Sequence, residues 1–192
     1  MLADYTKAKT FQDLCDINVD YLKGVYDETP YSGGPIFEET KLILQPLCLL
    51  NSLGCYTYCG QPPGHWVERG YIFESRGYLE FFIETKYIDS LVSFLSTQPI
   101  YYGVHKGVRT YPLPCPYHRE MPIGQTSWYH DGACISLNEF CFFEDEKRFH
   151  VERGVDPKIL ENCIPVVVVT RDFNQLFSLE VMMIEFFCKN RL

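Results

Sequence analysis

The spacing of apolar residues predicts four helices along the chain. In the first, apolar residues recur every three or four positions between Thr10, which can cap a helix N-terminus, and Gly24, which ends the pattern. The second contains Pro46, which would remove a backbone hydrogen bond, so we expect a kink there or a new helix with Pro46 in its first turn. The predicted helices cover residues 10–23, 37–53, 86–96 and 175–189.

Shorter apolar runs predict strands, and the clearest of them covers residues 164–170. Its sequence, IPVVVVT, has four valines in a row, which indicates a strand that is buried on both faces. Residues 55–58 predict a short strand, residues 71–84 a hairpin and residues 135–143 a further strand. We therefore expect a single α+β domain over residues 1–192, in which a mixed sheet is packed by about four helices.

Composition limits the compartment and the partners. The net charge of −8 would repel a phosphate backbone, so nucleic acid is not expected as the main ligand. No apolar run approaches the length of a membrane span, so no membrane partner is expected either. The nine cysteines lie mostly within apolar runs, and the N-terminus is charged where a signal peptide would be apolar. These features predict an acidic intracellular protein with free thiols in a reducing compartment, the cytoplasm or the nucleus.

The predicted turn at residues 59–64 is the first candidate for chemistry. Cys59 lies at the end of the short strand and His65 follows six residues later, so the two could form a catalytic thiol and base. Gln61 would then contact a ligand. The alternative interpretation is structural, because the glycines and prolines of this segment also suit a tight turn in which Gln61 bonds the backbone.

A second candidate is a zinc site. Two cysteine and histidine pairs, Cys115 with His118 and His130 with Cys134, could supply four ligands. The spacing differs from that of a zinc finger, where like ligands stay together, and the alternative is that these residues only pack or face solvent. We expect no cofactor, with zinc as the alternative.

Two further places could bind a partner or a ligand. A segment rich in proline and tyrosine, residues 98–125, predicts a long loop or an edge-strand excursion whose Tyr101, Tyr102 and Tyr111 could engage another protein. The alternative is that this segment covers the protein's own core. Arg171 and Asp172 follow the best strand, where α/β proteins place ligand groups, although an ordinary ion pair or helix cap would use the same residues. If the strands at residues 55–58 and 164–170 end at the same rim of the sheet, a pocket should join the turn at residues 59–64 to the end of residues 164–170.

A resemblance covers about the first half of the chain. It is carried by the helix at residues 11–22, by Glu38-Glu39-Thr40, by LNSLGCYT at residues 50–57 and by Gly60-Gln61-Pro62. These features resemble an uncharacterised domain family of actinobacterial proteins, with possible relatives in large DNA viruses of amoebae, that carries LN-x-x-G-x-x-T and SQPG motifs. Gly60 stands where that family has serine, so any chemistry of the hydroxyl would be lost here. The resemblance implies a shared fold and turn but no reaction.

Two functional hypotheses follow. The first is a non-catalytic intracellular interaction protein that uses the aromatic loop to bind another protein or its own copy. In one version of this hypothesis the protein is viral and acts in the host cytoplasm. The second is an enzyme or small-ligand-binding protein centred on residues 59–64.

Overall fold

The structure is a computed structural model that describes residues 1–68, 71–75, 77–104, 113–114, 119–122, 134–135, 142–170 and 178–190. Helices in these ranges are α1 (Phe11–Leu22), α2 (Leu44–Ser52), α3 (Ile88–Leu95), α4 (Phe142–Glu152), α5 (Pro157–Glu161) and α6 (Leu179–Asn190). Single 3-10 turns occur at Tyr5–Lys7, Glu39–Ile43 and Thr85–Tyr87. The strands are β1 (Tyr56–Gln61), β2 (Gly64–Glu68), β3 (Tyr71–Ser75), β4 (Tyr78–Glu84), β5 (Ile100–Val104), β6 (Leu113–Pro114), β7 (Arg119–Pro122), β8 (Cys134–Ile135) and β9 (Cys163–Thr170). The predicted α+β class is confirmed.

A four-stranded sheet of order β1-β4-β9-β5 forms the centre, and all of its pairs are antiparallel. The predicted mixed sheet is therefore wrong in its strand directions. Smaller sheets of order β2-β3-β7 and β6-β8 lie outside it. Because β1 and β9 both run antiparallel to β4, they run parallel to each other and end at the same rim, where Gln61 and Val169 both lie opposite Tyr78.

The predicted hairpin at residues 71–84 is wrong, although both of its strands exist. β3 pairs with β2 and β7, whereas β4 pairs with β1 and β9. Side chains on both faces of β4 are buried, among them Leu79 and Phe82, so its backbone N–H and C=O groups are shielded from water and need a partner strand along each edge. Since β1 and β9 occupy those edges, β3 has to pair elsewhere.

The predicted strand at residues 135–143 is corrected at its C-terminal end, where α4 begins at Phe142. At the other end Cys134–Ile135 forms β8, and residues 136–141 lie outside the described residues. The run EDEKR that follows consists mainly of good helix formers, so the two phenylalanines open a helix and do not close a strand. Six helices, more than the predicted four, are present in the described ranges because α4 and the short α5 join the expected ones.

The predicted helices at the N-terminal end are confirmed. Thr10 and Asp13 form a reciprocal capping box, in which the Thr10 hydroxyl accepts from the Asp13 N–H and the Asp13 carboxylate accepts from the Thr10 N–H. The stretch 37–53 divides into the 3-10 turn Glu39–Ile43 and α2, with Pro46 in the first turn of α2. This is the second of the two outcomes expected there.

Every residue of β9 is buried, as the valine run predicted. On one side of the sheet, which we call the first face, Leu79, Phe81, Val166 and Val168 pack against α2, α3 and α6. On the opposite side, the second face, Phe82 and Cys163 of the sheet pack with residues of α1 and α5. None of the helices in the described ranges is long and apolar enough to cross a membrane.

The predicted loop or edge-strand excursion at residues 98–125 begins with β5, which lies at an edge of the central sheet. β5 places Tyr101 and Tyr102 opposite Val169 and Val168 of β9. Tyr102 is partly buried and packs against the core of the first face. The aromatic pair therefore lies in the sheet, and Tyr102 covers this protein's own core.

We predict that Val167→Asp prevents soluble folding, whereas Val181→Asp does not. Val167 is 2% exposed in β9, and Val181 is 56% exposed on α6. Burying an unpaired carboxylate should cost more than about 3 kcal/mol, which is a large part of a domain's stability. Soluble yield and circular dichroism of the two variants provide the measurement. A folded Val167→Asp protein would contradict the central position of β9.

Candidate functional site

A buried polar network fixes β1 against α1 and α2. The Asn18 amide donates to the Asn51 side-chain oxygen at 3.0 Å and to the Thr57 carbonyl at 2.6 Å. Asn51 in turn donates to the Thr57 hydroxyl at 2.7 Å and to the Leu47 carbonyl at 2.8 Å, while its oxygen accepts from the Thr57 N–H at 3.2 Å. Gly54 has a φ of 80°, which ends α2 and turns the chain into the strand. The residues of the pattern LN-x-x-G-x-x-T therefore have a structural role in this chain, because they join α2 to β1 and hold the two together.

A pocket of about 210 Å³ lies beside this network, at the open edge of β1. We call it the edge pocket. Its walls come from α1, from the segment before α2 and from β1 itself. The lining residues are Asn18, Tyr21, Leu22, Tyr31, Ser32, Ile36, Phe37, Thr40, Leu47, Thr57, Tyr58, Cys59 and Gly60.

A bulge in β1 joins the edge pocket to the second face of the sheet. The register with β4 shifts between Thr57 and Cys59, so Tyr58 is the extra residue. The Tyr58 ring packs on Phe82 of the second face, with 5.2 Å between ring centroids. Tyr58 therefore belongs both to the pocket wall and to the second-face packing.

Behind that wall, His150 of α4 is enclosed by aromatic rings and is fully buried. Tyr31 stacks on the imidazole at 5.0 Å between centroids, and Tyr56, Tyr58 and Phe82 approach it edge-on at 5.1 to 5.6 Å. Two of these rings, those of Tyr31 and Tyr58, also line the edge pocket. The imidazole thus lies one ring away from the pocket.

The hydrogen bond of the His150 ring shows which of its two nitrogens carries the proton. Nδ1 lies 2.8 Å from the Glu146 carbonyl oxygen, which can only accept, so Nδ1 carries the proton and Nε2 keeps its lone pair. Within the described residues Nε2 has no hydrogen-bond partner. Burial lowers the pKa of His150 to about 4, and the nearby Arg153 charge acts in the same direction. The imidazole is therefore uncharged at neutral pH.

Glu80 and Cys59 lie opposite each other on β4 and β1. Burial, together with the charge of Glu146, raises the pKa of Glu80 to about 7. Burial and the Glu80 charge raise the pKa of Cys59 to about 12, although its sulfur lies 3.5 Å from the Tyr78 hydroxyl. Near neutral pH, Glu80 can hold or release a proton, whereas the Cys59 thiol stays protonated.

A thiol with so high a pKa argues against Cys59 as a thiolate nucleophile. His65 lies in β2, which belongs to another sheet, and its side chain is outside the described residues, so the Cys59–His65 pair stays a prediction. The turn itself is shorter than predicted, because β1 continues to Gln61 and only Pro62 and Pro63 separate it from β2. A Cβ added to Gly77 would lie 2.7 Å from Pro63 Cδ, so the turn packs closely on the start of β4. That packing favours the structural interpretation of the turn.

The other predicted site residues are only partly described. Cys115, His118, His130, Tyr111, Arg171 and Asp172 lie outside the described residues, and Cys134 is described only as part of β8. Among the described side chains, no group of three or more histidine, cysteine or acidic residues could hold a metal ion. The zinc site and the ligand role of Arg171 and Asp172 stay predictions.

The expected pocket between the turn after β1 and the end of β9 stays a prediction, because Arg171 and Asp172 lie outside the described residues. The ends of β1 and β9 do share a rim, as that expectation requires. The edge pocket is a different site, between β1 and α1, and Gln61 is not among its lining residues.

Sequence reasoning missed most of the residues that build this site. Glu80, Glu146 and His150 are not among the candidate residues drawn from the sequence, and the charged run before His150 is typical of a solvated helix. A helical period in residues 142–152, with Glu146 and His150 four apart on one face, was the available signal. Tyr31 gave no signal, because it lies in an irregular segment rich in glycine and proline.

No protein-family model matches this sequence, and no curated protein matches it. The resemblance to the actinobacterial and viral domain family therefore stays a prediction that rests on the residues quoted for it.

We predict that Asn51→Ala destabilises the protein by about 2–4 kcal/mol, because it leaves the Thr57 N–H and other buried polar groups without partners. Asn190→Ala is the matched control, since Asn190 is exposed and its side chain donates to the Phe186 carbonyl of its own helix. It should cost less than about 1 kcal/mol. Urea denaturation measures both. Equal losses would show that the network adds nothing to stability.

We also predict that His150 and Glu80 give opposite pH dependences of stability. His150 titrates near 4 when folded and near 6.5 when unfolded, so the unfolded chain binds more protons and stability rises with pH between those values. Glu80 titrates near 7 when folded and near 4.5 when unfolded, so its contribution falls as pH rises through that window. Each effect is up to about 3 kcal/mol.

The measurement is urea denaturation of the wild type, Glu80→Gln and His150→Phe from pH 4.5 to 7. Relative to the wild type, Glu80→Gln should gain stability as pH rises, and His150→Phe should lose it. Slopes of the same sign in both variants would contradict the assignment.

Proposed function

We propose that this protein binds a small, mostly apolar ligand in the edge pocket. The observation that carries the proposal is the pocket itself, about 210 Å³ in volume and open at the edge of β1. Its wall is largely aliphatic and aromatic, with residues such as Leu22, Ile36 and Leu47, and it contains few polar groups. Concave sites with that composition are the usual sites for small molecules.

The volume sets the size of the ligand. An apolar cavity of about 150 Å³ accepts benzene, so about 210 Å³ suits a ligand with one ring or two fused rings. A drug-sized molecule would extend beyond the pocket, because typical drug sites exceed about 300 Å³.

The pocket rim supports an apolar ligand. Phe37 lines the pocket and is 71% exposed, so an aromatic ring stands at the surface beside the opening. Exposed aromatic side chains next to a concave site are typical of binding surfaces. Ser32 and Thr40 also line the pocket, and the Ser32 hydroxyl is bonded to Thr29 and Gly34 of its own turn.

Binding is favoured over catalysis by the chemistry of the wall. Asn18 and Thr57 use their polar atoms within the network with Asn51, so they are poor candidates for reacting groups. The protonated Cys59 thiol is a weak nucleophile. The titratable groups that could move protons lie behind Tyr31 and Tyr58.

The cysteines support an intracellular, reducing compartment for this binding protein. The six cysteines whose side chains are described are all free, and Cys188 is exposed on α6. Free thiols, including an exposed one, are usual where glutathione keeps cysteine reduced. The hypothesis of partner binding through the aromatic loop stays a prediction, because Tyr111 lies outside the described residues. Tyr102 packs against the protein's own core.

We predict that the wild type binds naphthalene and that Thr40→Trp abolishes this binding. Thr40 is partly buried on the 3-10 turn Glu39–Ile43 and lines the pocket, so an indole at this position should fill it. Glu39→Trp is the control, because Glu39 precedes Thr40 on the same turn but is exposed. Saturation-transfer NMR with naphthalene measures binding. Absence of a signal from the wild type, or equal signals from both variants, would overturn the proposed function.

A further inference from the structure

The ladder register shows which backbone groups of β1 face the edge pocket. Tyr56 and Thr57 lie opposite Phe82 and Phe81 of β4. The Thr57 N–H and C=O bond the side chains of Asn51 and Asn18, so both groups point away from β4. In an antiparallel pair, successive residues alternate between bonding the neighbour and facing outward. Phe81 therefore faces β9, and Phe82 faces β1.

The same alternation continues along β4 past the bulge in β1. The pairing of β4 with β9 has no register shift from Tyr78 to Glu84, and at its start the Gly77 carbonyl accepts from Thr170 N–H. Odd-numbered residues of β4 consequently bond β9, and even-numbered residues bond β1. Gly60 lies opposite Leu79, an odd-numbered residue. The N–H and C=O of Gly60 thus point away from β4, on the side of the edge pocket that Gly60 lines.

Gly60 is the one outward position of β1 that can still form a pair of hydrogen bonds. The outward groups of Thr57 are already bonded to Asn18 and Asn51. The next outward position after Gly60 is Pro62, which has no N–H. An added peptide strand needs several such positions, whereas a small molecule with one amide edge needs only one.

The present surroundings of Gly60 allow its N–H and C=O to form hydrogen bonds with a ligand. The Gly60 N–H lies near the Cys59 sulfur, where it favours the thiolate slightly, but sulfur is a weak acceptor. Outside the β1–β4 ladder, no backbone bond to Gly60 is present among the described residues. A carbonyl oxygen of a ligand would be a stronger acceptor for this N–H than the thiol is.

We propose that the ligand of the edge pocket is a cyclic amide of the lactam or 2-pyridone type, paired edge to edge with Gly60. Its carbonyl oxygen accepts from the Gly60 N–H, and its N–H donates to the Gly60 carbonyl, as a neighbouring strand would do. The apolar part of the ring system then fills the pocket beside Leu22 and Leu47. This inference rests on the proposed function and narrows the class of ligand.

The first test compares two isomers by NMR titration of the wild type. The isomer 4-methyl-2-quinolinone keeps the amide N–H, and 1-methyl-2-quinolinone replaces it by a methyl group in a molecule of the same composition. Loss of one good hydrogen bond to a partly buried carbonyl should weaken binding about tenfold. With isotope-labelled glycine, the Gly60 amide proton should shift downfield on addition of 4-methyl-2-quinolinone, because the ligand carbonyl accepts from it.

Two variants of Gly60 provide the second test. Gly60→Pro removes the N–H, and Gly60→Ala is the control that keeps it. An added Cβ would lie 3.0 Å from Leu79 Cδ1, the end of a side chain that can move. We expect Gly60→Pro to bind 4-methyl-2-quinolinone about tenfold more weakly than Gly60→Ala does, because only the proline variant loses the bond from the backbone N–H to the ligand carbonyl. Equal affinities of two folded variants would contradict the pairing. If Gly60→Pro does not fold, the Gly60 amide shift in the wild type decides the question.

Naphthalene separates failure of this inference from failure of the proposed function. If naphthalene binds but the two isomers bind equally, or the Gly60 amide does not shift, the cyclic-amide inference is overturned and the pocket remains a ligand site. If neither naphthalene nor the isomers bind the wild type, both proposals are overturned.

Discussion

Burial of β9 on both of its faces is the constraint on which the rest of the structure depends. All eight residues of the strand are buried, and four consecutive valines leave no side chain for a solvent-facing position. A strand of this kind needs a layer of cover on each side. On the first face α2, α3 and α6 provide it. On the second face α1 and α5 cover only part of the sheet, and α4 completes the described cover.

The need for that second cover explains why titratable groups lie inside the protein. α4 brings Glu146 and His150 against the sheet, where Glu80 already faces the same side. A charged imidazole would be costly there, so His150 stays neutral, bonds its own helix and packs among rings. The carboxyl of Glu80, near a second acid, holds its proton more strongly for the same reason. Both groups therefore titrate far from their usual pH.

The parts of this structure that were predictable depend on neighbours along the chain. The valine run identified β9, the Thr10 cap identified α1, and Pro46 correctly indicated a division before α2. The errors concern contacts between distant residues. β3 could be recognised as a strand, but its choice of partner depended on β1 and β9 occupying both edges of β4. The edge pocket was missed for the same reason, because its walls come from α1, the segment before α2 and β1.

The edge of β1 links the fold to the site. An exposed edge strand invites pairing with other chains, and proteins usually protect it with bulges, prolines or covering side chains. This protein uses all three, in the bulge at Tyr58, the prolines after Gln61 and the two asparagines bonded to Thr57. Because the cover comes from side chains of helices and not from another strand, α1 stands away from the rest of the edge. The space that remains beside Gly60 is the edge pocket, so protection of the edge and formation of a ligand site have the same structural cause.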